Sequence, residues 1–414
     1  MKKFEKKIYA LDLGTTKFCI GTIQYVSNLP RVVNVSIPAQ GMHKGMLVNI
    51  DEAKTALNKL INLAESEFQD DISEVVVGIA GSHLQSATTT TSEKLGNGGC
   101  VTSRTLKKLS NSAYNQTTST SREPLHTIPT SYTIDNREPV QEPIGLTGQI
   151  IKGNFLSIDA NRFYLRDVVK LCNSCGLTIS RMIAEPLASA AVVASDNDTR
   201  IGVAVADIGG GTTDGIILKN GHPVKVFTIN VGGKLMTSDL SIGLSLPLAE
   251  AEKAKVILGL SDSEKEDTQP LEAQNTQGNK VKISADHTKV ILGPRLRELG
   301  DLIADEISSS NQAVATGIIL TGGGAEVKGL CNYLSKNLPY PIRKSLPQLD
   351  NNKLIETKTP TNHSGQQILP TKFATLVGLL CLENQNQEKA NTQDNNLSFT
   401  TFFQKVLRWV KTEF

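Results

Sequence analysis

The chain has 414 residues, more than one small core can organise, so two or more compact units flanking a cleft are expected. Hydrophobic residues at 39% and charged residues at 20% mark a folded soluble protein and exclude a membrane channel or an extended disordered chain. The formal net charge of +2 gives no electrostatic reason for a polyanion, so no nucleic-acid partner is expected and any basic surface must be local.

The opening MKKFEKKIYALDLG passes from charge into a short apolar run broken by Asp12, which is no signal-peptide core, and no later apolar stretch is long enough to span a bilayer. A cytoplasmic protein is expected. KIYALDLGTTKFCIGTI reads as two β-rich runs joined by a Gly/Thr turn, residues 53–67 carry helical spacing, and residues 73–81 read as a buried strand, so the chain begins as an α/β unit. Between His83 and Asn161 Ser, Thr, Asn and Gly dominate and strands alternate, which suggests a small inserted domain. Residues 164–175 then read as a helix, RMIAEPLASAAVVA as a strand running into a second helix, and VAVADIGGGTTDGIIL as a second hairpin.

The pattern of apolar strand, acid, glycine-containing turn with Thr, and apolar strand therefore occurs twice, at Asp12 and at Asp207. Two similar halves imply a cleft between them. Residues 261–282 are polar and irregular, residues 292–311 are amphipathic and helical, and together they suggest a second small insertion. The polar, aperiodic run 382–398 reads as a flexible linker with a reach on the order of 20 Å. The six cysteines are scattered; Cys172 and Cys175 stand close, but no second pair or His cluster completes a zinc site, so free thiols in a reducing compartment are expected.

Both turns have the composition of a phosphate nest. In Gly14, Thr15, Thr16 and Lys17, and in Gly209, Gly210, Gly211, Thr212 and Thr213, small residues let backbone N–H groups approach an anion while hydroxyls add further bonds. An acid beside a phosphate makes physical sense when a cation lies between, so Asp12 and Asp207 are candidate direct or water-mediated Mg²⁺ ligands, with Lys17 as a compensating charge. In GIILTGGGAEVKGL, a strand enters a triple-glycine turn; Gly322, Gly323 and Gly324 suit the flat wall of a nucleoside, or else a tight strand-to-helix turn.

In this order the motifs resemble the actin-like ATPase superfamily, whose members include actin, MreB, DnaK-type chaperones, sugar kinases and FtsA. The likeness covers nearly the whole chain and implies an α/β, ribonuclease H-like duplicated fold around a nucleotide cleft, with ATP and Mg²⁺ as cofactors. It also implies that Glu252 and Lys255 contact ribose or adenine, unless they form a solvated helix face. Glu185 would match the acid that orients attacking water; a helix-capping role before Pro186 is the alternative, and hydrolysis is expected to be slow at best.

Within the insertion, HTIPTSYTIDNREPVQEPIGLTG resembles the FtsA pattern, as do INVGGKLMTSDLSIGLSLPLAEAEKAK and FATLVGLL; GQIIKGNFLSIDA departs from the family's more basic strand. That resemblance divides the chain into subdomain 1A (1–82 and 162–197), the inserted 1C (83–161), 2A (198–233 and 313–381, ending in a helix that closes 1A), 2B (234–312), a linker (382–397) and a terminal amphipathic helix (398–414). It implies self-assembly into filaments, a place at the division site, and capture of the FtsZ C-terminal tail with Arg295 and Arg297 on the 2B helix as candidate contacts. Other divisome proteins are implied as further partners.

The final SFTTFFQKVLRWVKTEF gives a separate physical argument. At helical spacing Phe399, Phe402, Phe403, Val406, Leu407, Trp409 and Val410 share a face, opposed by Lys405, Arg408 and Lys411, which is the pattern of a membrane-surface helix. Three basic residues near anionic inner-membrane lipid supply about 3 kcal/mol, so one anchor is marginal and a filament of anchors is firm. Docking of this helix on its own body is the alternative. A sugar or metabolite kinase, or a PilM-like scaffold of pilus assembly, is the competing reading of the whole.

Overall fold

Tyr9–Leu13, the first strand (β1), is buried at every position, as a central strand covered on both faces should be. The computed structural model describes residues 7–26, 29–261, 269–348 and 369–391. In it β1 pairs antiparallel with β2 (Lys17–Val26), and β2 with β3 (Leu29–Pro38). A short pair, β4 (Met42–His43) and β5 (Met46–Leu47), leads to helix α1 (Ile50–Phe68), whose first N–H groups are capped by the Asn49 side chain. Strand β6 (Glu74–Ile79) returns parallel to β1.

The insertion follows as β7 (Gln85–Cys100), α2 (Ser103–Thr117), β8 (Arg122–Ile134) and β9 (Thr147–Asn161). Its sheet, ordered β7-β9-β8, has its own core in which Leu109, Ile151 and Phe155 are fully buried. The chain re-enters the first unit through α3 (Arg162–Ser174), β10 (Thr178–Ala184), α4 (Glu185–Val193) and α5 (Asp196–Ile201).

The second unit opens with β11 (Val203–Ile208), β12 (Thr213–Lys219) and β13 (His222–Ile229), then α6 (Gly233–Gly243) and α7 (Leu248–Ile257). A hairpin of β14 (Leu271–Gln274) and β15 (Lys280–Ile283) precedes the long α8 (Ala285–Ser309). Strand β16 (Ile318–Thr321), a 3₁₀ turn at Gly323–Glu326, α9 (Leu330–Asn337), β17 (Ile342–Lys344), a second 3₁₀ turn at Thr371–Phe373 and α10 (Ala374–Asn391) complete the described residues.

The two sheets have one topology. Orders β10-β6-β1-β2-β3 and β17-β16-β11-β12-β13 correspond strand for strand, each with an antiparallel meander on one side and parallel strands on the other. Helix α4 is almost entirely buried, which suits its apolar composition on all sides; it packs on the second sheet and on α10, while α10 packs on the first sheet. At their crossing a side chain on Gly378 would run into the Ala188 carbonyl, so glycine is what lets the helices meet.

Two expectations are corrected. The segment 261–282, expected to be irregular, carries the β14–β15 hairpin in its described part, because residues at alternating positions pair (Leu271 with Ile283, Ala273 with Val281) and put Ala273 and Ile283 into the core. The linker was expected from residue 382, but α10 continues to Asn391. Leu382 is buried, and Glu383 forms an ion pair at 3.1 Å with the largely buried Arg181 of β10, so tertiary contacts hold a segment whose composition alone would not. The rest of the expected linker and the amphipathic helix 398–414 lie outside the described residues.

Candidate functional site

Both hairpins close with the same four-residue bend. Leu13 pairs with Phe18 around Gly14–Lys17, and Ile208 pairs with Thr213 around residues 209–212. The bends face each other across the cleft. A Cβ on Gly210 would collide with Thr16, and one on Gly211 would lie 2.6 Å from the Thr15 hydroxyl and 2.8 Å from Lys44 Cα, so only glycine permits this approach. The Thr15 hydroxyl accepts the Gly45 N–H at 2.8 Å, and the Lys234 ammonium donates to the Thr15 carbonyl at 2.9 Å. Entry of a phosphate chain between the bends therefore requires the halves to part.

Identical bends put Asp12 and Asp207 at equivalent sites, yet they are held differently. Lys17 donates to Asp12 Oδ2 at 2.9 Å, so the lysine charge rests on the acid. Asp207 Oδ2 instead accepts two hydroxyls, Ser189 at 2.6 Å and Thr375 at 3.1 Å. Burial, helped by Asp214 and Asp12, pushes its carboxyl up to about 6 against those hydroxyls. Glu185, the first residue of α4, stands among Asp12, Asp214 and Asp207; burial first and those acids next drive its carboxyl well above the usual range, with Lys17 opposing. Its side chain lies over Gly78 of β6, where a Cβ would be 2.7 Å from Oε1.

Asp214 was missed by sequence reasoning. It is the cross-strand partner of Asp207, as Cys19 is of Asp12, and it accepts from Thr228 Oγ1 (2.7 Å), Thr212 Oγ1 (2.7 Å) and the Gly81 N–H (3.2 Å). The signal was the hairpin itself: an acid seven residues after Asp207 across a four-residue bend must lie beside it. Asp12, Asp207, Asp214 and Glu185 thus gather near Lys17, though among the described residues no group of three or more His, Cys, Asp or Glu is arranged to hold a metal ion.

The third glycine motif divides its labour. Gly322 has φ +85°, and a Cβ there would strike Asp207 Oδ1, while one on Gly324 would strike Ile208; these two serve close packing against β11. Of the three only Gly323 has open space at its Cβ position, with nothing nearer than Lys372 at 3.8 Å. Lys255 is 7% exposed and donates to the Gly233 carbonyl (3.1 Å), Thr237 Oγ1 (2.9 Å) and Glu252 Oε2 (2.7 Å). Gly233 N–H in turn donates to Gly209 O and Lys234 N–H to Gly210 O, so the pair Glu252–Lys255 braces the second bend from behind. A fourth glycine turn, at Gly232 and Gly233, went unread as part of the site.

The candidate partner contacts are not brought together. Arg295 is forked onto Asp239, at 2.7 and 3.1 Å, and also bonds Glu298, whereas Arg297 is exposed; two residues apart on α8, they face different directions. All six cysteines are free thiols. Among the described residues no helix is long and apolar enough to cross a membrane.

Comparison with known proteins agrees with this architecture. A family model for the cell division protein FtsA matches residues 204–378, and one for the SHS2 domain inserted in FtsA matches residues 81–158. The chain is 29% identical to cell division protein FtsA of Neisseria meningitidis serogroup B, covering 92% of this chain and 91% of that one. It is 24% identical to the FtsA of Escherichia coli K12 over 99% and 98% of the two chains. Among solved structures, a PilM-PilN type IV pilus biogenesis complex matches with a TM-score of 0.61 at 15% identity, covering 90% of this chain and 97% of that one. MreB5 of Spiroplasma citri bound to ADP matches with a TM-score of 0.55 at 12% identity, over 94% and 99%. These structural likenesses establish the actin-like fold; with the inserted domain and the second lobe each matched by a model of one family, and relatives alike from end to end, the chain belongs to the FtsA family of cell division proteins.

Proposed function

We propose that this protein is an ATP-binding, filament-forming tether that holds the FtsZ polymer to the inner face of the cell membrane at the division site and recruits other divisome proteins. The observation that carries the nucleotide part is the pair of matching four-residue bends, one from each half, each followed back along its strand to an acid, Asp12 and Asp207. Backbone N–H groups of the bends hold phosphate oxygens, the hydroxyls of Thr15 and Thr16 add to them, and Gly323 leaves room for the nucleoside. Mg²⁺, when bound, neutralises phosphate charge among the carboxylates.

Glu185 carries the water-orienting role; burial and its acidic neighbours raise its carboxyl well above the usual range, and Lys17 opposes them. Turnover is slow at best, and the nucleotide acts mainly to set the closure of the halves. Attachment rests on the residues 398–414, whose apolar and basic positions separate at helical spacing. Titration calorimetry of the full chain with ATP tests the core of this reading: uptake at millimolar magnesium supports it, and no uptake refutes it. Sedimentation with anionic vesicles, with and without residues 398–414, tests the tether; equal binding by both forms would remove the membrane role from that helix.

A further inference from the structure

We infer that Ser189 and Thr375 are positioning residues that aim the Asp207 carboxylate for its cation, and that they do so from helices α4 and α10. The inference deepens the nucleotide reading above and rests on it. Ser189 lies on α4 and Thr375 on α10, the two crossing helices whose shared core takes side chains from both sheets, while Asp207 ends β11 of the second sheet. The three groups form a closed triangle: Ser189 Oγ to Asp207 Oδ2 at 2.6 Å, Thr375 Oγ1 to the same oxygen at 3.1 Å, and the two hydroxyl oxygens 3.0 Å apart.

Two donors on Oδ2 fix the rotation of the carboxylate about its Cβ–Cγ bond. Oδ1 is thereby placed against Gly322, where a side chain would collide with it, so the motif that sequence assigned to the nucleoside also clears space for this oxygen. The Thr371 hydroxyl, four residues before Thr375, donates to the Gly322 carbonyl at 2.7 Å and ties that bend to the start of α10. The pseudo-equivalent acid shows what is special here. Asp12 is held by an ammonium, which offsets its charge, whereas Asp207 is held by neutral hydroxyls that orient it and leave its charge available to a ligand. Because α4 packs on the second sheet and α10 on the first, the aim of Asp207 depends on how these two helices cross beside β11.

The experiment compares ATP affinity in excess magnesium with affinity in EDTA, by calorimetry on the full chain, for wild type, Ser189→Ala, Thr375→Val and Thr375→Ser, with melting curves for each. The expected result is a magnesium enhancement about tenfold smaller in Ser189→Ala and Thr375→Val, restored in Thr375→Ser, with affinity in EDTA and melting temperature near wild type. A magnesium enhancement equal to wild type in both hydroxyl deletions overturns the inference, as does an equal loss of affinity with and without magnesium, which would mark a purely structural role. A wild type that takes up no ATP under either condition overturns the nucleotide reading and the inference with it.

Discussion

Replacing Lys255 with Met tests the claim that a buried ammonium braces the second glycine bend, at residues 209–212. The substitution keeps the length of the side chain and removes its charge and donors. Three bonds disappear, to the Gly233 carbonyl, Thr237 Oγ1 and Glu252 Oε2. The Gly233 carbonyl keeps the Thr237 hydroxyl at 2.9 Å, so it is not orphaned, and the Glu252 side chain is 50% exposed, so the ion pair contributes little. What remains are the charge-assisted bonds to Gly233 and Thr237, together about 1.5–3 kcal/mol. In urea, Lys255→Met should lose about that amount, and because Gly233 anchors Gly209 and Lys234 anchors Gly210, ATP affinity should fall several-fold with it. Lys253→Met on the same helix is the control: that lysine is exposed and forms a surface ion pair with Glu250, so its loss should cost less than about 0.5 kcal/mol. Equal stability of Lys255→Met and wild type would show that the ammonium does not brace the bend.

Other consequences follow from burial and close approach. His126 of β8 accepts the Ala184 N–H through Nε2 at 3.0 Å; burial, with Arg181 nearby, depresses its imidazole to about 3. A folded pKa below the unfolded value means stability present above about 6.5 and lost as pH falls, here about 2 kcal/mol between pH 7 and 5. His126→Gln should flatten that part of the urea-measured acid dependence, and an unchanged slope would contradict it. Gly378→Ala should destabilise by about 3 kcal/mol or more, since backbone meets backbone at the α4–α10 crossing, while Gly323→Ala should leave the melting temperature unchanged and weaken ATP binding instead. For an FtsZ tail peptide, Arg297→Ala should weaken binding measured by fluorescence anisotropy more than Arg295→Ala does after correction for folding, because the Arg295 guanidinium is already forked onto Asp239; the reverse ranking would refute the assignment.

Much of the site was legible because it is local. Asp12, Gly14, Asp207 and Gly209 sit in hairpins whose strands and bend are contiguous, so spacing alone predicted the duplicated hairpin bends. Ser189 and Thr375 were not legible as a pair, since 186 residues separate two hydroxyls that meet at 3.0 Å, and the segments RMIAEPLASAAVVA and FATLVGLL that hold them carry no sign of each other. Of the Glu252–Lys255 pair, read as ribose contacts or a solvated face, Lys255 is buried against the Gly233 carbonyl while the Glu252 side chain is half exposed; periodicity reports which side of a helix is apolar, not what a charged residue on its margin will find. The helical continuation through Glu383 was invisible for the same reason, because its partner Arg181 is supplied by a distant strand.

The amino-acid order by itself determined the repeated strand–bend–strand unit, the positions of the two acids and the glycines that let the bends approach, since each depends on neighbours a few residues away. Only the tertiary structure decided which charges remain available: Lys17 rests on Asp12, Arg295 on Asp239, and Asp207 is held by hydroxyls of α4 and α10. Charge and orientation in a cleft depend on partners that long-range packing brings within 3 Å, and no local pattern encodes that.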